Sequence, residues 1–320
     1  MIIVTGAYGF IGSMLVRFLN QKGYDNLVLV DDFSIKKKAD NLLNTNYLQL
    51  IERDQLFSFL KENTDGVKYI FHLGARTDTT ETDRDLLDRL NLNYTQYLWN
   101  WCSENNVPLL YASSAATYGL GEHGFVDSHE IVDQLQPLNA YGDSKNDFDK
   151  WALAQAKQPP SWIGLKFFNV YGEQEYHKGR MASVVFHTFR QIQQTGGMKL
   201  FRSHRADVAD GQQSRDFIYV EDVLKICYYF FENQQVADGL YNVGTGQARP
   251  FWDLATATFK ALNLAPNISF IDTPADIREK YQYFTEADLT KLRAAGYTED
   301  FYSLEAGVTR YVKSLRKLHS

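Results

Sequence analysis

The chain has 320 residues, of which 44% are apolar and 22% are charged, and its formal net charge is −6. This composition is that of a globular protein and excludes a disordered or collagen-like chain. The net negative charge, and a sequence without a signal peptide or a spanning apolar run, predict a cytoplasmic protein that binds neither nucleic acid nor membranes. Cys102 and Cys227 suggest neither a disulfide framework nor a metal site, so we expect both in the core.

Short apolar strands alternate with helices through the first half of the chain. Strands are predicted at residues 2–5, 27–30, 47–51, 69–73, 109–112 and 163–168, and helices at residues 11–21, 55–63, 84–105 and 143–156. Strands that are apolar throughout, rather than alternating, are typical of strands buried on both faces. The repetition predicts an α/β fold with a Rossmann-type doubly wound parallel sheet, which we assign to residues 1–170.

After residue 170 the rhythm breaks, and residues 171–320 are predicted to form a smaller C-terminal α/β lobe that binds substrate. Helices are expected at residues 182–194, 222–232, 251–263, 286–294 and 304–316. Residues 203–213 are polar and aperiodic, which favours a loop. A segment near residues 215–247 is expected to return to the first domain, with a strand at residues 239–244.

A glycine-rich turn directly follows the first predicted strand. Gly6, Gly9 and Gly12 have G-x-x-G-x-x-G spacing, and Phe10 and Ile11 begin the next helix. Glycines allow a tight turn and a close approach of the backbone to a pyrophosphate, which the helix N-terminus binds. The spacing therefore predicts a dinucleotide site, although a purely structural turn would use the same residues.

The end of the second strand bears on which dinucleotide is bound. Asp31 and Asp32 stand where an acidic residue usually holds the ribose hydroxyls of NAD. Three consecutive lysines ending at Lys38 follow, and Arg53 lies just after the third strand. These cations would suit either the 2′-phosphate of NADP or a solvated loop, so the residues alone leave NAD and NADP open.

A second group of residues is suited to catalysis. Tyr141 and Lys145 are four residues apart and share one face of a predicted helix, although about one such pair is expected by chance. Ser113 and Ser114 lie at the carboxyl end of a strand, where parallel sheets bind ligands. A neighbouring ammonium favours the phenolate form of tyrosine, so this combination predicts an acid/base site. Alternatively, the two serines only cap a turn.

Together these motifs resemble the extended short-chain dehydrogenase/reductase superfamily, which includes nucleotide-sugar epimerases and dehydratases. Residues 167–172 (FFNVYG), 177–184 (HKGRMASV) and 214–217 (SRDF) resemble the ADP-L-glycero-D-manno-heptose 6-epimerase family, and the resemblance covers essentially the full chain. It implies inversion at C6″ of an ADP-heptose by transient oxidation and re-reduction, in lipopolysaccharide inner-core heptose biosynthesis. It favours NADP over NAD, and implies a homo-oligomer, since family members include pentamers.

The resemblance also implies roles for individual residues. Ser114, Tyr141 and Lys145 would be catalytic, and Lys178 would be a second acid/base group, or else only a phosphate or ribose contact. The cofactor residues would be Gly6, Gly9, Phe10, Ile11, Gly12, Asp31, Asp32, Lys38, Arg53, Leu73, Gly74, Ala75, Arg76, Thr77, Asn91, Lys145, Val170 and Lys178. The substrate residues would be Ser114, Asn169, Arg180, His187, Phe201, Arg202, Ser203, His204, Arg215 and Tyr281, with Arg215 as the diphosphate clamp.

Departures from the family pattern leave some of these assignments open. The helix after Glu81 is about two residues longer than in some members, so the cofactor asparagine is Asn91 or Asn93. The loop at 203–213 is longer than in shorter members, which leaves open which of its first residues contact substrate. The alternatives are another nucleotide-sugar epimerase or dehydratase of the superfamily, or a non-catalytic dinucleotide-binding regulator. Such regulators usually lose the catalytic tyrosine or lysine, whereas Tyr141 and Lys145 are both present here.

Overall fold

The computed structural model describes residues 1–278 and 281–318 of the chain. Its strands are β1 (Ile2–Thr5), β2 (Leu27–Asp31), β3 (Gln49–Glu52), β4 (Tyr69–His72), β5 (Leu109–Ser114), β6 (Trp162–Phe167), β7 (Asn169–Tyr171), β8 (Met198–Phe201), β9 (Ser214–Tyr219), β10 (Gly239–Val243), β11 (Ala248–Pro250) and β12 (Ile268–Ile271). Its helices are α1 (Phe10–Gln21), α2 (Leu56–Glu62), α3 (Arg84–Leu87), α4 (Tyr94–Asn105), α5 (Ala140–Leu153), α6 (Val184–Thr195), α7 (Val220–Glu232), α8 (Phe251–Ala261), α9 (Ala275–Arg278), α10 (Thr290–Ala294) and α11 (Leu304–Leu318).

Seven strands form the central sheet, in the order β10, β6, β5, β4, β1, β2, β3. Every neighbouring pair in this sheet is parallel. The chain reverses its direction of winding between β1 and β4, which leaves a crevice at the carboxyl ends of those strands. The doubly wound prediction is confirmed, and all six strands predicted for the first half are present.

Two differences between the predicted and the observed helices affect the site. The helix predicted at 143–156 begins at Ala140, because the Asn139 side chain accepts a hydrogen bond from Gly142 N at 2.8 Å and caps it. The helix predicted at 84–105 is interrupted by a wider π-type turn at Asp88–Asn93. Such turns insert an extra residue and change which side chains face inward.

Helices cover both faces of the sheet and bury two apolar cores. On one face, Leu15 and Val16 of α1 pack with Leu224 of α7. On the other face, Leu98 of α4 packs with Phe148 of α5. The free cysteines Cys102 and Cys227 are both buried, one on each face, and burial raises the pKa of both thiols. Their predicted role as core residues is confirmed.

The C-terminal part of the chain contributes a smaller α/β lobe. Strand β9 pairs with β7 and β11, and β8 pairs with β12, while β10 returns to the central sheet beside β6. Residues 203–213 form the predicted loop. The helix predicted at 286–294 starts only at Thr290, because Ala287 N donates to the Asp216 carboxylate and Asp288 N to Phe125 O instead of forming helical bonds.

Across residues 1–278 and 281–318, no helix combines the length and apolar character needed to span a bilayer. In the same part of the chain, no group of three or more His, Cys, Asp or Glu side chains is arranged to hold a metal ion.

Candidate active site

A cleft of about 700 Å³ lies at the crevice between the carboxyl ends of β1 and β4. Most residues predicted to bind a cofactor line it: Gly6, Gly9, Phe10, Ile11, Gly12, Asp31, Asp32, Lys38, Arg53, Leu73, Gly74, Ala75, Arg76, Thr77 and Lys178. These residues follow four different strands of the sheet or come from the second half of the chain. The topology therefore brings together groups that are far apart in the sequence.

The glycine turn fits tightly against the loop that follows β4. Gly6 has φ +68°, and a Cβ there would lie 2.6 Å from Gly74 N, while a Cβ on Gly12 would lie 2.1 Å from Gly6 O. Helix α1 begins at Phe10 with no side-chain cap, so its first N–H groups are available to an anion in the cleft. This arrangement fits a dinucleotide pyrophosphate.

The two aspartates at the end of β2 are held mainly by contacts within the protein. Asp31 accepts hydrogen bonds from Tyr8 N at 3.0 Å and Asp32 N at 2.8 Å, and its carboxylate pairs with the Lys38 ammonium at 3.2 Å. Asp32 accepts from the Ser34 hydroxyl, which lowers the pKa of this carboxyl, and Arg53 lowers it further. Negative charge at this end of the cleft is thus balanced by cations.

Asn91, rather than Asn93, faces the loop after β4. Its side chain is buried, whereas Asn93 is exposed. Asn91 accepts from Arg76 N at 2.8 Å, donates to Arg76 O at 3.0 Å and donates to the Ser144 hydroxyl at 3.0 Å. Asn91 therefore lies behind the cleft wall and ties the Arg76 backbone to α5, and it does not itself line the cleft as predicted.

His72 is a site residue that sequence reasoning did not single out for a role. Its Nδ1 lies 2.7 Å from the Thr5 hydroxyl and its Nε2 lies 2.9 Å from the Thr95 hydroxyl. Thr95 already donates to Asn91 O, so it accepts from Nε2–H and the Thr5 hydroxyl donates to Nδ1. Burial lowers the pKa of His72 to about 3, which keeps this neutral form. These partners come from β1 and α4, so no spacing in the sequence reveals them.

The predicted catalytic group gathers at the end of β5 and the start of α5. Ser114 hydrogen-bonds the Tyr141 side chain, which lowers the pKa of the phenol, but burial is the larger effect and raises it. Lys145 donates to Ala112 O at 2.8 Å, and burial lowers the pKa of its ammonium to about 8. The protein's own groups thus leave the Tyr141 pKa above its usual value, where we expected a lower one.

Lys178 reaches the cofactor cleft from the second half of the chain. Its Nζ lies 5.5 Å from the centroid of the Phe10 ring. Burial lowers the pKa of Lys178, and the nearby Glu175 carboxylate partly offsets this. Arg180 is exposed, and the His187 ring lies 3.4 Å from its carbonyl oxygen, so these two predicted substrate residues lie together.

The remaining predicted residues are only partly gathered. Arg215 is buried, with its guanidinium over the Phe251 and Tyr281 rings, and it donates to Ser214 O and Gln282 O. Phe201 contacts Tyr281, with ring centroids 6.2 Å apart. Five predicted residues lie neither in this group nor in the lining of the cofactor cleft: Asn169, Val170, Arg202, Ser203 and His204.

The loop residues after β8 are engaged mostly with their own lobe. Arg202 pairs with Asp210 at 3.4 Å and Asp272 at 3.7 Å, and its side chain is about half exposed. Ser203 N donates to Asp210, and His204 N donates to the Tyr283 hydroxyl. Contacts within the lobe therefore hold the Arg202 side chain and the backbone of Ser203 and His204.

A doubly wound sheet, a glycine-lined cleft that fits a dinucleotide and a Ser-Tyr-Lys group agree with a dinucleotide-dependent epimerase or dehydratase. Residues 2–244 match the model of the NAD dependent epimerase/dehydratase family. An ADP-L-glycero-D-manno-heptose-6-epimerase of Fusobacterium nucleatum is 49% identical over 324 residues, covering 98% of this chain and 97% of that protein. The chain belongs to the ADP-L-glycero-D-manno-heptose-6-epimerase family within this larger family, and it is an epimerase.

Solved structures agree with this assignment. The ADP-L-glycero-D-manno-heptose-6-epimerase of Helicobacter pylori superposes with a TM-score of 0.80 at 26% identity, covering 98% of this chain and 96% of that one. MoeE5, in complex with UDP-glucuronic acid and NAD, superposes with a TM-score of 0.79 at 26% identity, covering 99% of both chains. Together with the family match, this supports a nicotinamide dinucleotide cofactor and a sugar-nucleotide substrate.

Proposed function

We propose that the protein interconverts ADP-D-glycero-β-D-manno-heptose and ADP-L-glycero-β-D-manno-heptose by inverting C6″, with a tightly bound NADP. The observation that carries this proposal is the presence of Lys178 in the dinucleotide cleft, in addition to the group formed by Ser114, Tyr141 and Lys145. A reaction that presents both faces of one carbon to the cofactor requires acid/base groups on two sides of that carbon.

The chemistry of C6″ explains why these groups are needed. Its C–H bond is not acidic, so direct proton abstraction is excluded; a bound nicotinamide dinucleotide supplies reversible hydride transfer at this carbon. The Tyr141 Oη would accept the hydroxyl proton while Ser114 orients the oxygen. After the ketone has turned about the C5–C6 bond, the Lys178 Nζ would serve the oxygen on the other side. Burial lowers the pKa of Lys178, which favours the neutral amine that a base requires.

The preference for NADP rests on the charges around Asp31. Its carboxylate oxygens already accept from Tyr8 N, Asp32 N and Lys38, which leaves little capacity to bind both hydroxyls of an adenosine ribose. Lys37, Lys38 and Arg53 all line this end of the cleft. Three cations near one ribose favour a 2′-phosphate. Denaturing the purified protein and identifying the released dinucleotide tests this: NADP is expected, and recovery of NAD alone would contradict it.

On the family resemblance, we further propose that the product is used for lipopolysaccharide inner-core heptose biosynthesis, in the cytoplasm. On the same basis we propose a homo-oligomer, as in the pentameric members of the family.

The central experiment follows the C6″ signals of ADP-D-glycero-D-manno-heptose by NMR, with purified protein and no added cofactor. We expect a mixture of both C6″ epimers. The variants Tyr141→Phe and Lys178→Met should each slow conversion by roughly 10²- to 10⁴-fold, the usual contribution of one acid/base group. Lys199→Met, at an exposed position on β8, is the matched control and should convert normally. No conversion by the wild type, even with NADP added, would overturn the proposal.

A further inference from the structure

Helix α5 presents three polar side chains to the sheet at intervals of one turn. Tyr141, Lys145 and Asp149 are spaced four residues apart and therefore lie along one face of the helix. Tyr141 contacts Ser114 and Lys145 donates to the backbone of β5. Asp149 is fully buried one turn further on, and the proposed mechanism gives it no role.

The Asp149 carboxylate is completely engaged by buried donors. Its Oδ1 accepts from the Tyr111 hydroxyl at 3.0 Å, and its Oδ2 accepts from the Ser113 hydroxyl at 2.6 Å. The Oδ2 also accepts from the Lys166 ammonium at 2.7 Å. The serine that precedes Ser114 is therefore tied to this carboxylate.

Lys166 lies on β6 and its side chain is almost completely buried. Besides Asp149, its ammonium donates to the Thr117 hydroxyl at 2.8 Å and lies 5.2 Å from the centroid of the Tyr118 ring. Replacing a buried ion pair with apolar residues of similar volume is often neutral or stabilising. Packing alone therefore does not require these charges, and their position beneath the Ser-Tyr-Lys group points to an electrostatic role.

The buried charges beneath Tyr141 add to a small positive excess, because Lys145 and Lys166 are cations and Asp149 is an anion. The other titratable groups facing this cluster remain neutral: Tyr111 and Tyr118 from β5 and the following turn, and the imidazoles of His72 from β4 and His129 from the segment before α5. Burial raises the pKa of both tyrosines and lowers the pKa of the histidines, to about 3 for His72 and about 4 for His129. Two further charged groups, Asp127 next to Tyr118 and Lys291 next to His129, lie on the far side of these neutral residues. They have opposite charge and interact with each other.

We propose that Lys166 and Asp149 are positioning residues that set the pH range over which Tyr141 can act as a base. Lys166 compensates the Asp149 carboxylate, so that the charge of Lys145 acts on Tyr141 unopposed. In the observed arrangement the Asp149 charge raises the pKa of both Tyr141 and Lys145, which is the effect that Lys166 offsets. The inference rests on the proposed function only in taking Tyr141 as the acid/base group.

Three variants test this charge balance. Lys166→Met leaves the Asp149 carboxylate uncompensated and should move the acid limb of kcat to higher pH by about half to one unit, because Tyr141 then ionises less readily. Asp149→Asn should move the limb in the opposite direction. The double variant Asp149→Asn/Lys166→Met removes both charges and should return the limb close to that of the wild type.

The double variant distinguishes an electrostatic role from a structural one. If the two residues had a purely structural role, the activity of the double variant would be at least as low as that of either single variant. An acid limb that does not move in Lys166→Met, or a shift that persists in the double variant, would overturn the proposal. If Lys166→Met does not fold, the double variant is compared with Asp149→Asn instead, because these two proteins differ only at Lys166. The acid limb of the double variant must then lie at higher pH than that of Asp149→Asn, and an unmoved limb would overturn the proposal.

A second readout is independent of turnover. The ionisation of Tyr141 is followed by ultraviolet difference titration of each variant against its Tyr141→Phe counterpart, and it should shift in the same order as the acid limb. If the wild type does not convert the ADP-heptose, the proposed function fails, while this titration still supports or overturns the charge balance. An unshifted titration in Lys166→Met would overturn it even where turnover changes.

Discussion

The cofactor cleft and the C-terminal lobe place their predicted residues very differently. In the cleft, residues that follow β1, β2, β3 and β4 line one cavity. In the lobe, Phe201, Arg215 and Tyr281 are in contact, whereas Arg202 and His204 are exposed.

The contrast follows from the two kinds of sheet. In a parallel sheet, all strands end at the same edge, so every loop that follows a strand points to one crevice. The lobe has a three-stranded sheet of mixed direction and a separate pair of strands, so its loops have no common edge. A residue after a strand of the first half is therefore located by topology, but one after a strand of the lobe is not.

The largest effect is expected where the two loops of the cleft touch. Gly6→Ala should abolish most dinucleotide binding, because its Cβ would lie 2.6 Å from Gly74 N. We expect the free energy of unfolding to fall by roughly 1–3 kcal/mol because of overpacking, and by about 1 kcal/mol more because alanine is disfavoured in the left-handed backbone conformation. The dinucleotide content of the purified variant measures the loss of binding, and chemical denaturation measures the loss of stability.

Gly23→Ala is the matched control for this prediction. Gly23 also has positive φ, at +88°, but nothing lies within 4 Å of a Cβ there. It should therefore show the backbone strain without losing dinucleotide. Equal dinucleotide content in the two variants would show that the close contact of the two loops is not what shapes the cleft.

The same contrast separates what the sequence could predict from what it could not. The central strands and the glycine turn follow from local pattern, because buried parallel strands are apolar and a close backbone approach requires glycine. The choice of Asn91 over Asn93 depends on a π-type turn that no local pattern announces. The partners of His72 come from β1 and α4, and those of Asp149 from β5 and β6. Such buried polar contacts join distant elements, so only the folded chain shows them.

A smaller effect, confined to the lobe, is expected at Asp216. Its buried carboxylate accepts from the N–H groups of Thr245, Gly246 and Ala287 and from the Thr245 hydroxyl. Asp216→Asn presents an amide to these donors and should lower the free energy of unfolding by roughly 2–3 kcal/mol. The KM for the ADP-heptose should rise, because the loop before α10 loses its anchor, while dinucleotide content should be unchanged.

Asp207→Asn is the control for the change from acid to amide, since Asp207 is exposed and its carboxylate pairs with Arg205 in the same loop. It should leave both stability and KM as in the wild type. A loss of dinucleotide from Asp216→Asn would contradict the independence of the two regions.

The smallest effect is expected at Arg215, and its size decides whether this residue contacts substrate. Arg215→Lys keeps the charge but loses the planar fork that donates to Ser214 O and Gln282 O, and a lysine cannot grip a diphosphate through two parallel hydrogen bonds. We expect KM to rise about tenfold, which corresponds to roughly 1.4 kcal/mol, with kcat and dinucleotide content little changed. Arg205→Lys, on the exposed loop, should leave KM unaltered. Because Arg215 is already committed to backbone carbonyls of its own lobe, an unchanged KM in Arg215→Lys would make it a support of the lobe rather than a diphosphate clamp.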